Sequence, residues 1–307
     1  MVEIYETEKG TILKRNEQKD GCWIKITNAQ GWELEPIANR YQIDYDDMKA
    51  ALDEEEKSRV VLEDDYTLVL VDIPASEVQH DKKIYTTIPL GVIMTNDVII
   101  TVCSEDTPIL NKFIQSHVKS FSTKKRTRFL YQILLNAMTT YQTVLRSVDN
   151  RRLDIEARIG EAMEDESDLI ELHDLESTLV YFETSLRAAG MVIDRLRRYK
   201  HIPQFPEDED LLEDVQVENR QAIEMATRKG ARAFNMKNPD WFERLKKYLV
   251  DDAGIAAASF LEFPKTFAKV PRNLVDFTPQ KPATDSKPTP PKMSDKQIRA
   301  LMKSARR

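Results

Sequence analysis

The chain has 307 residues, 41% of them hydrophobic and 32% charged, with a net charge of −7. That composition describes a soluble, helix-rich protein, long enough for two domains or for one domain with extensions. No apolar stretch approaches the roughly 20 residues that a membrane-crossing helix needs, and the N-terminus MVEIYETEKG lacks the basic-then-apolar pattern of a signal peptide.

The charge is unevenly spread. Residues 230–307 carry 16 basic and 8 acidic side chains, a net of +8, so residues 1–229 carry −15. The two parts should attract different partners. Cys22 and Cys103 fall in separate strand-like runs. They read as reduced core thiols of a cytoplasmic protein, not as a disulfide or a metal pair.

Residues 1–122 alternate strands with helices. VEIYET and GTILKR form a hairpin about Lys9 and Gly10, and CWIKIT is a strand. Residues 28–31 make a turn before a helix over WELEPIANRYQI, and DYDDMKAALD is a second helix with Asp44 as N-cap. SRVVLEDD and YTLVLVDIP are strands about an acidic turn at 63–65, and KKIYTTIPLGVIMTNDVIITVCSE holds two more about TND. TPILNKFIQSHVKSF is a helix opened by Thr107 and Pro108.

From Thr123 the spacing becomes that of long helices. Leu130, Leu134, Ala137, Tyr141, Val144 and Val148 recur at alternating steps of four and three, then Ile155 follows a break at Arg151. After the acidic stretch EAMEDESD comes a second seam of Leu172, Leu175, Leu179, Phe182, Leu186, Ala189, Ile193 and Leu196. Sustained alternation of three and four is a coiled-coil seam. The pair reads as an antiparallel hairpin about 50 Å long at ~1.5 Å per residue. Two prolines in HIPQFP stop the second helix, and residues 207–229 make a third, with acids in its first turn where the helix dipole favours them.

The order of these pieces resembles the cytoplasmic part of the CorA family of divalent-cation channels. The matching segments are GCWIKI, WELEPIANRYQI, VVLEDDYTLVLVDIP, TIPLGVIMTNDVIITVCSE, FLYQILLNAMTTY and DLIELHDLESTLVYFETSLRAAGMVI, over about residues 20–228. The resemblance implies a homopentamer whose third long helix continues into the membrane as the pore, ending in a Gly-Met-Asn motif. It also implies weak regulatory Mg2+ held by cytoplasmic carboxylates between subunits, and a cytoplasmic location at the inner face of the cell membrane. The chain departs from the family pattern at RKGARAFNMKNPDWF: it does not become apolar there, and Gly-Met-Asn is absent. Gly230 is expected to end the third helix. The expected role is a divalent metal ion transport protein's cation-sensing module without a pore of its own, associating with copies of itself or with intact CorA-like subunits.

The fold class expected is α+β: an N-terminal mixed sheet covered by helices over 1–122, then long helices over 123–229. A short helical extension over 230–277 follows, with a Pro-rich linker and basic terminal helix over 278–307. Two acidic clusters could offer Mg2+ the hard oxygen ligands it prefers. One is Glu161, Glu164, Asp165, Glu166 and Asp168 at the hairpin tip; the other is Glu207, Asp208, Glu209 and Asp210 at the third helix start. The bland alternative for each is a solvated loop or helix start. His80, His117, His173 and His201 have no ligand spacing, and no Gly-rich phosphate loop or nucleophile motif appears, so no enzyme is expected.

In the basic part, Asn238 and Pro239 open an amphipathic helix whose Trp241, Leu245, Tyr248 and Leu249 share a face. The terminal helix MSDKQIRALMKSARR places Arg299, Lys303, Arg306 and Arg307 around Ile298, Leu301 and Met302. A second functional class follows: a scaffold or adaptor whose tail binds an acidic partner, nucleic acid or anionic membrane. Residues 229–307 stand where the family places its membrane segments, as a natural fusion or as a rearrangement.

Overall fold

Strands β3 (Trp23–Thr27) and β7 (Ile99–Cys103) are buried at every position, as expected of strands covered on both faces. They pair in parallel, Trp23 opposite Ile99 and Thr27 opposite Cys103. The computed structural model describes residues 1–79, 82–161, 166–199 and 202–234. Within them lies a seven-stranded mixed sheet of order β2-β1-β3-β7-β6-β5-β4. Its other strands are β1 (Val2–Glu8), β2 (Thr11–Arg15), β4 (Arg59–Leu62), β5 (Tyr66–Gln79) and β6 (Lys82–Thr95). Every neighbouring pair besides β3–β7 is antiparallel.

The period-two alternation divides the strands between two cores. Ile24, Ile26, Leu68, Leu70, Ile93 and Ile100 pack with Leu34 and Ile37 of α1 (Gly31–Tyr41) and Met48 of α2 (Tyr45–Ala50). On the opposite face, Trp23, Val69, Val71, Leu90, Val92 and Ile99 pack with Phe113 of α3 (Pro108–Ile114) and with the long helices. Here Trp23 sits among Tyr5, Phe113, Phe121 and Phe129 at centroid distances of 5.0–6.5 Å, and its indole N–H donates to Thr101 Oγ1 at 2.8 Å. One charge is buried in β3: Lys25 Nζ is satisfied by Asp106 at 2.5 Å and Asn111 at 3.2 Å.

The expected caps at Asp44 and Thr107 are present, each side chain accepting backbone N–H groups of its helix's first turn. Two boundaries in this part of the chain differ from expectation. Helix α3 stops at Ile114 instead of running on to Phe121, because the chain takes the left-handed conformation at Ser116 (φ 58) and again at Ser120 (φ 55). Strand β5 does not end at Pro74 but continues to Gln79. Proline fits there because β4 pairs with β5 as far as Leu70, so the proline costs no ladder hydrogen bond on that side. Beyond that point β5 and β6 form a two-stranded ribbon, Gln79 opposite Lys82.

The long helices are α4 (Arg126–Glu161), α5 (Glu166–Arg198) and α6 (Pro206–Phe234). At ~1.5 Å per residue α4 is about 54 Å long. The hairpin is antiparallel: Arg158 pairs with Asp168 and Arg151 with Glu171 across it. All eight expected seam residues of α5 are buried. In α4 the seam holds except that Leu145 is fully buried where Val144 is half-buried.

The break at Arg151 is not a break. Helix α4 is continuous, and its next seam position is Arg152, 4% exposed, whose guanidinium meets Asp149 at 3.1 Å. Lys229 of α6 closes on the same Asp149. Helix α6 packs along both α4 and α5, and α5 lies against β4, β5 and β6. Gly190 of α5 lets α6 approach: a Cβ there would stand 2.9 Å from Asn219 Nδ2. Gly230 does not end α6, which runs on to Phe234. An interior glycine weakens a helix by about 1 kcal/mol without forcing it to stop. The amphipathic helix expected from Pro239, the linker over 278–293 and the basic terminal helix lie outside the described residues.

Candidate metal-responsive site

The acids at the start of α6 have divided roles. Arg128 of α4 donates from Nε to Asp208 Oδ1 at 2.6 Å and from Nη2 to the Glu207 carbonyl at 2.9 Å. Asp208 is 3% exposed, so its charge is committed to this pairing, the arrangement a buried carboxylate requires. The Glu207 carboxylate lies 3.6 Å from Lys125 Nζ. Glu209 and Asp210 are exposed on the outer face of α6, and so are Glu213 and Asp214, four residues on.

At the hairpin tip, Asp168 accepts from Arg158 at 2.5 and 3.2 Å. Glu161 and Glu166 are the last residue of α4 and the first of α5. Glu164 and Asp165 lie outside the described residues, as do Arg299, Lys303, Arg306 and Arg307 of the tail.

Tertiary folding brings a further acidic segment to the α6 start. The turn at 63–65 between β4 and β5 shares a cleft of about 290 Å³ with residues 124–128, Pro203, Phe205, Glu207 and Asp208. Glu63, Asp64 and Asp65 are exposed. They face the basic start of α4, whose Lys125 and Arg128 also hold the α6 acids. Glu63, Asp64, Asp65, Glu207 and Asp208 meet Lys124, Lys125, Arg126 and Arg128 around the cleft, so its character is electrostatic. Sequence spacing did not single out 63–65 as a site. The separation of about 140 residues conceals the meeting, and a turn between strands gives no local sign of it.

A second acidic group forms near the end of β7. The Glu105 carboxyl is pushed up by burial and by the charges of Glu77, Glu54 and Asp106. Among the described residues no group of three or more His, Cys, Asp or Glu is arranged to hold a metal ion within one protomer.

Other candidate groups are quiet. Both thiols are free and buried, and burial pushes Cys103 up to about 11 and raises Cys22. His117 is exposed, and burial lowers His173 while Asp174 opposes that shift. Among the described residues no helix is long and apolar enough to cross a membrane.

Comparison with known proteins now bears on this arrangement. A family described as CorA-like Mg2+ transporter protein matches residues 18–239. The cobalt/magnesium transport protein CorA of Methanocaldococcus jannaschii is 27% identical over 209 residues, 66% of this chain and 64% of that protein. The chain thus spans a little under two-thirds of this relative's length. The structure of the soluble domain of CorA from M. jannaschii shares the fold, with a TM-score of 0.65 at 23% identity over 76% of this chain and 95% of the domain. The complete CorA magnesium transporter structure from that organism gives 0.64 at 22% identity over 90% and 94% of the two chains. The family match passes residue 229 and ends five residues beyond α6, in keeping with a helix that does not stop at Gly230. On the strength of that match across most of its length, the chain belongs to the CorA-like Mg2+ transporter family.

Proposed function

We propose that this chain is the cation-responsive module of a CorA-type magnesium transport system. In this reading Mg2+ is bound by carboxylates brought together from neighbouring copies, or from intact CorA-like subunits. The family match over residues 18–239 carries the proposal. The sheet unit over 1–122 is the body of the module, and the long helices over 123–229 transmit the ion's effect. The ion acts as a regulatory ligand here, and no covalent chemistry is assigned to the chain.

The physical support comes from α6. Asp208 is neutralised by Arg128, but Glu209, Asp210, Glu213 and Asp214 line an exposed face. Like charges four apart on a helix repel by a few tenths of a kcal/mol per pair, and a second acidic helix brought alongside adds to that cost. A divalent ion ligated by carboxylate and water oxygens removes it.

Sedimentation velocity of the full chain with and without millimolar Mg2+ tests the reading. Mg2+ should raise the sedimentation coefficient of the wild type. The combined variant Glu209→Gln, Asp210→Asn, Glu213→Gln, Asp214→Asn should lose that response, and being confined to exposed positions it should keep the fold. A wild-type profile indifferent to the ion would sink the sensor role; an unchanged response in the variant would move it to other carboxylates.

A further inference from the structure

Asp72 of β5 lies just past Leu70, the last β5 residue paired with β4. Its polar groups reach three other parts of the fold. The backbone N–H donates to Ser58 Oγ, just before β4, at 3.3 Å. The carbonyl accepts from the Tyr141 hydroxyl of α4 at 3.1 Å, and the carboxylate accepts from Ser185 Oγ of α5 at 2.7 Å. Tyr141 and Ser185 are both buried. A single residue thus joins the sheet to both arms of the helical hairpin.

Among the described residues no cation balances the charge at this joint. Of the elements packed against Asp72, α4 presents Tyr141, α5 Ser185, β6 Pro89 and the approach to β4 Ser58. Arg59 of β4 is held by Glu56 and Asp47, and Glu183 of α5 by Arg187. Elsewhere the bridging carboxylates Asp149, Asp168 and Asp208 each face a basic side chain. Burial raises the Asp72 carboxyl, and the Ser185 hydrogen bond only partly offsets that. Burial and the Asp72 charge push the Tyr141 phenol well above its ordinary value, so it stays protonated and keeps donating.

A half-buried carboxylate with one neutral donor is poorly solvated. When ionised, it gains from any movement that lets water reach it, and such a movement parts β5 from α5. When protonated, it lacks that drive, and the neutral hydrogen bonds around it keep the strand on the helices.

We propose that Asp72 is a proton-operated latch between the sheet and the α4–α5 hairpin, closed when its carboxyl is protonated and eased when it ionises. Because the folded carboxyl lies above its unfolded value, the latch is fully closed below the unfolded pKa of about 3.9. It eases as pH rises through the raised folded value. The magnesium reading uses the exposed acids of α6, so the latch stands independently of it.

Hydrogen exchange of the full chain, followed by mass spectrometry from about pH 4 to about pH 8, tests the latch. Wild type and Asp72→Asn are compared at each pH, which cancels the intrinsic pH dependence of exchange. Asparagine has the shape of the protonated side chain and can still accept from Ser185. At neutral pH the amides of residues 70–73 and 183–187 should exchange about three- to tenfold more slowly in Asp72→Asn, one pKa unit being a factor of ten. The difference should close as pH falls toward about 4. Ser185→Ala removes the donor to the ionised carboxylate and should speed exchange of the same amides at neutral pH, with a smaller effect when combined with Asp72→Asn. Equal exchange in wild type and Asp72→Asn at neutral pH would overturn the proposal. Faster exchange in Asp72→Asn would do so as well, because the charge would then hold the joint together. Equal slowing over residues 2–15 of β1 and β2 would also overturn it, since Asp72 would then act on global stability alone.

Discussion

The sheet and the helical bundle solve the problem of a core in different ways. Around Trp23 the interior is apolar and aromatic, with the indole N–H paired to Thr101. Between α4, α5 and α6 the interior admits Arg152, Glu176, Glu183, Gln216 and Asn219, all buried. Asn219 Oδ1 lacks a hydrogen-bond partner, and so does the buried hydroxyl oxygen of Thr227, also on α6. An apolar core gains stability from area and shape. A polar layer adds less, but it penalises any register that separates its partners. In this bundle, Asp149 answering both Arg152 and Lys229 ties α6 to α4 at one height. The bundle shares the apolar core of Trp23 through its seam residues, and its polar groups add alignment to that core.

That contrast can be broken first at the sheet. Trp23→Ala should cost about 3–5 kcal/mol, the range for deleting a buried aromatic, read as a fall in the denaturant midpoint of the whole chain. A loss below ~1 kcal/mol would mean that the aromatic cluster is not where stability resides.

The bundle is tested at Asp149. Burial works against its charge, but hydrogen bonds from Lys229 and Arg152 prevail and hold its carboxyl below the ordinary value. A depressed carboxylate contributes stability that is present above the unfolded pKa of about 3.9. That contribution is lost as pH falls through the lower folded value. Asp149→Asn should cost about 3 kcal/mol at neutral pH, because the ion pair with Lys229 is broken and Arg152 loses one of its acceptors. Its stability should then fall less steeply than the wild type's as the solution is acidified below about pH 4. Parallel curves for the two proteins would refute the assignment.

The smallest expected effect has the opposite sign. Glu105 is raised by burial and by Glu77 and Glu54, so its ionisation opposes folding. Stability associated with it declines as pH rises from the unfolded toward the raised folded pKa. Glu105→Gln should therefore stabilise the chain at pH 7 by a few tenths of a kcal/mol, the scale of a partly exposed charge interaction. The gain should vanish below about pH 4, where the carboxyl is protonated in both states. A destabilised variant at pH 7 would show that Glu105 has a favourable partner.

Much of the architecture was legible because it rests on local rules. Alternation marked the strands, Asp44 and Thr107 marked helix starts, and the steps of three and four in α5 marked a seam that is buried throughout. The break expected at Arg151 is absent for a reason that the apolar pattern alone does not carry. The next seam position is itself an arginine, Arg152, and it meets Asp149, which also serves Lys229 some 80 residues away. The candidate site was less legible. Of the acids at the α6 start, Asp208 belongs to Arg128 and Glu207 sits beside Lys125, while Glu209 and Asp210 stay exposed. Composition could not distinguish the four.

The sequence by itself thus determined the element types, the caps at Asp44 and Thr107, the seam of α5 and the resemblance that placed the chain in its family, because each depends on periodicity or on order along the chain. Tertiary structure alone decided that β5 runs past Pro74, that α6 continues through Gly230 and lies along both α4 and α5, and which carboxylates are neutralised. Those outcomes depend on which distant groups meet. A proline is tolerated where the neighbouring strand is missing, and a carboxylate is free or committed according to the cation folded against it.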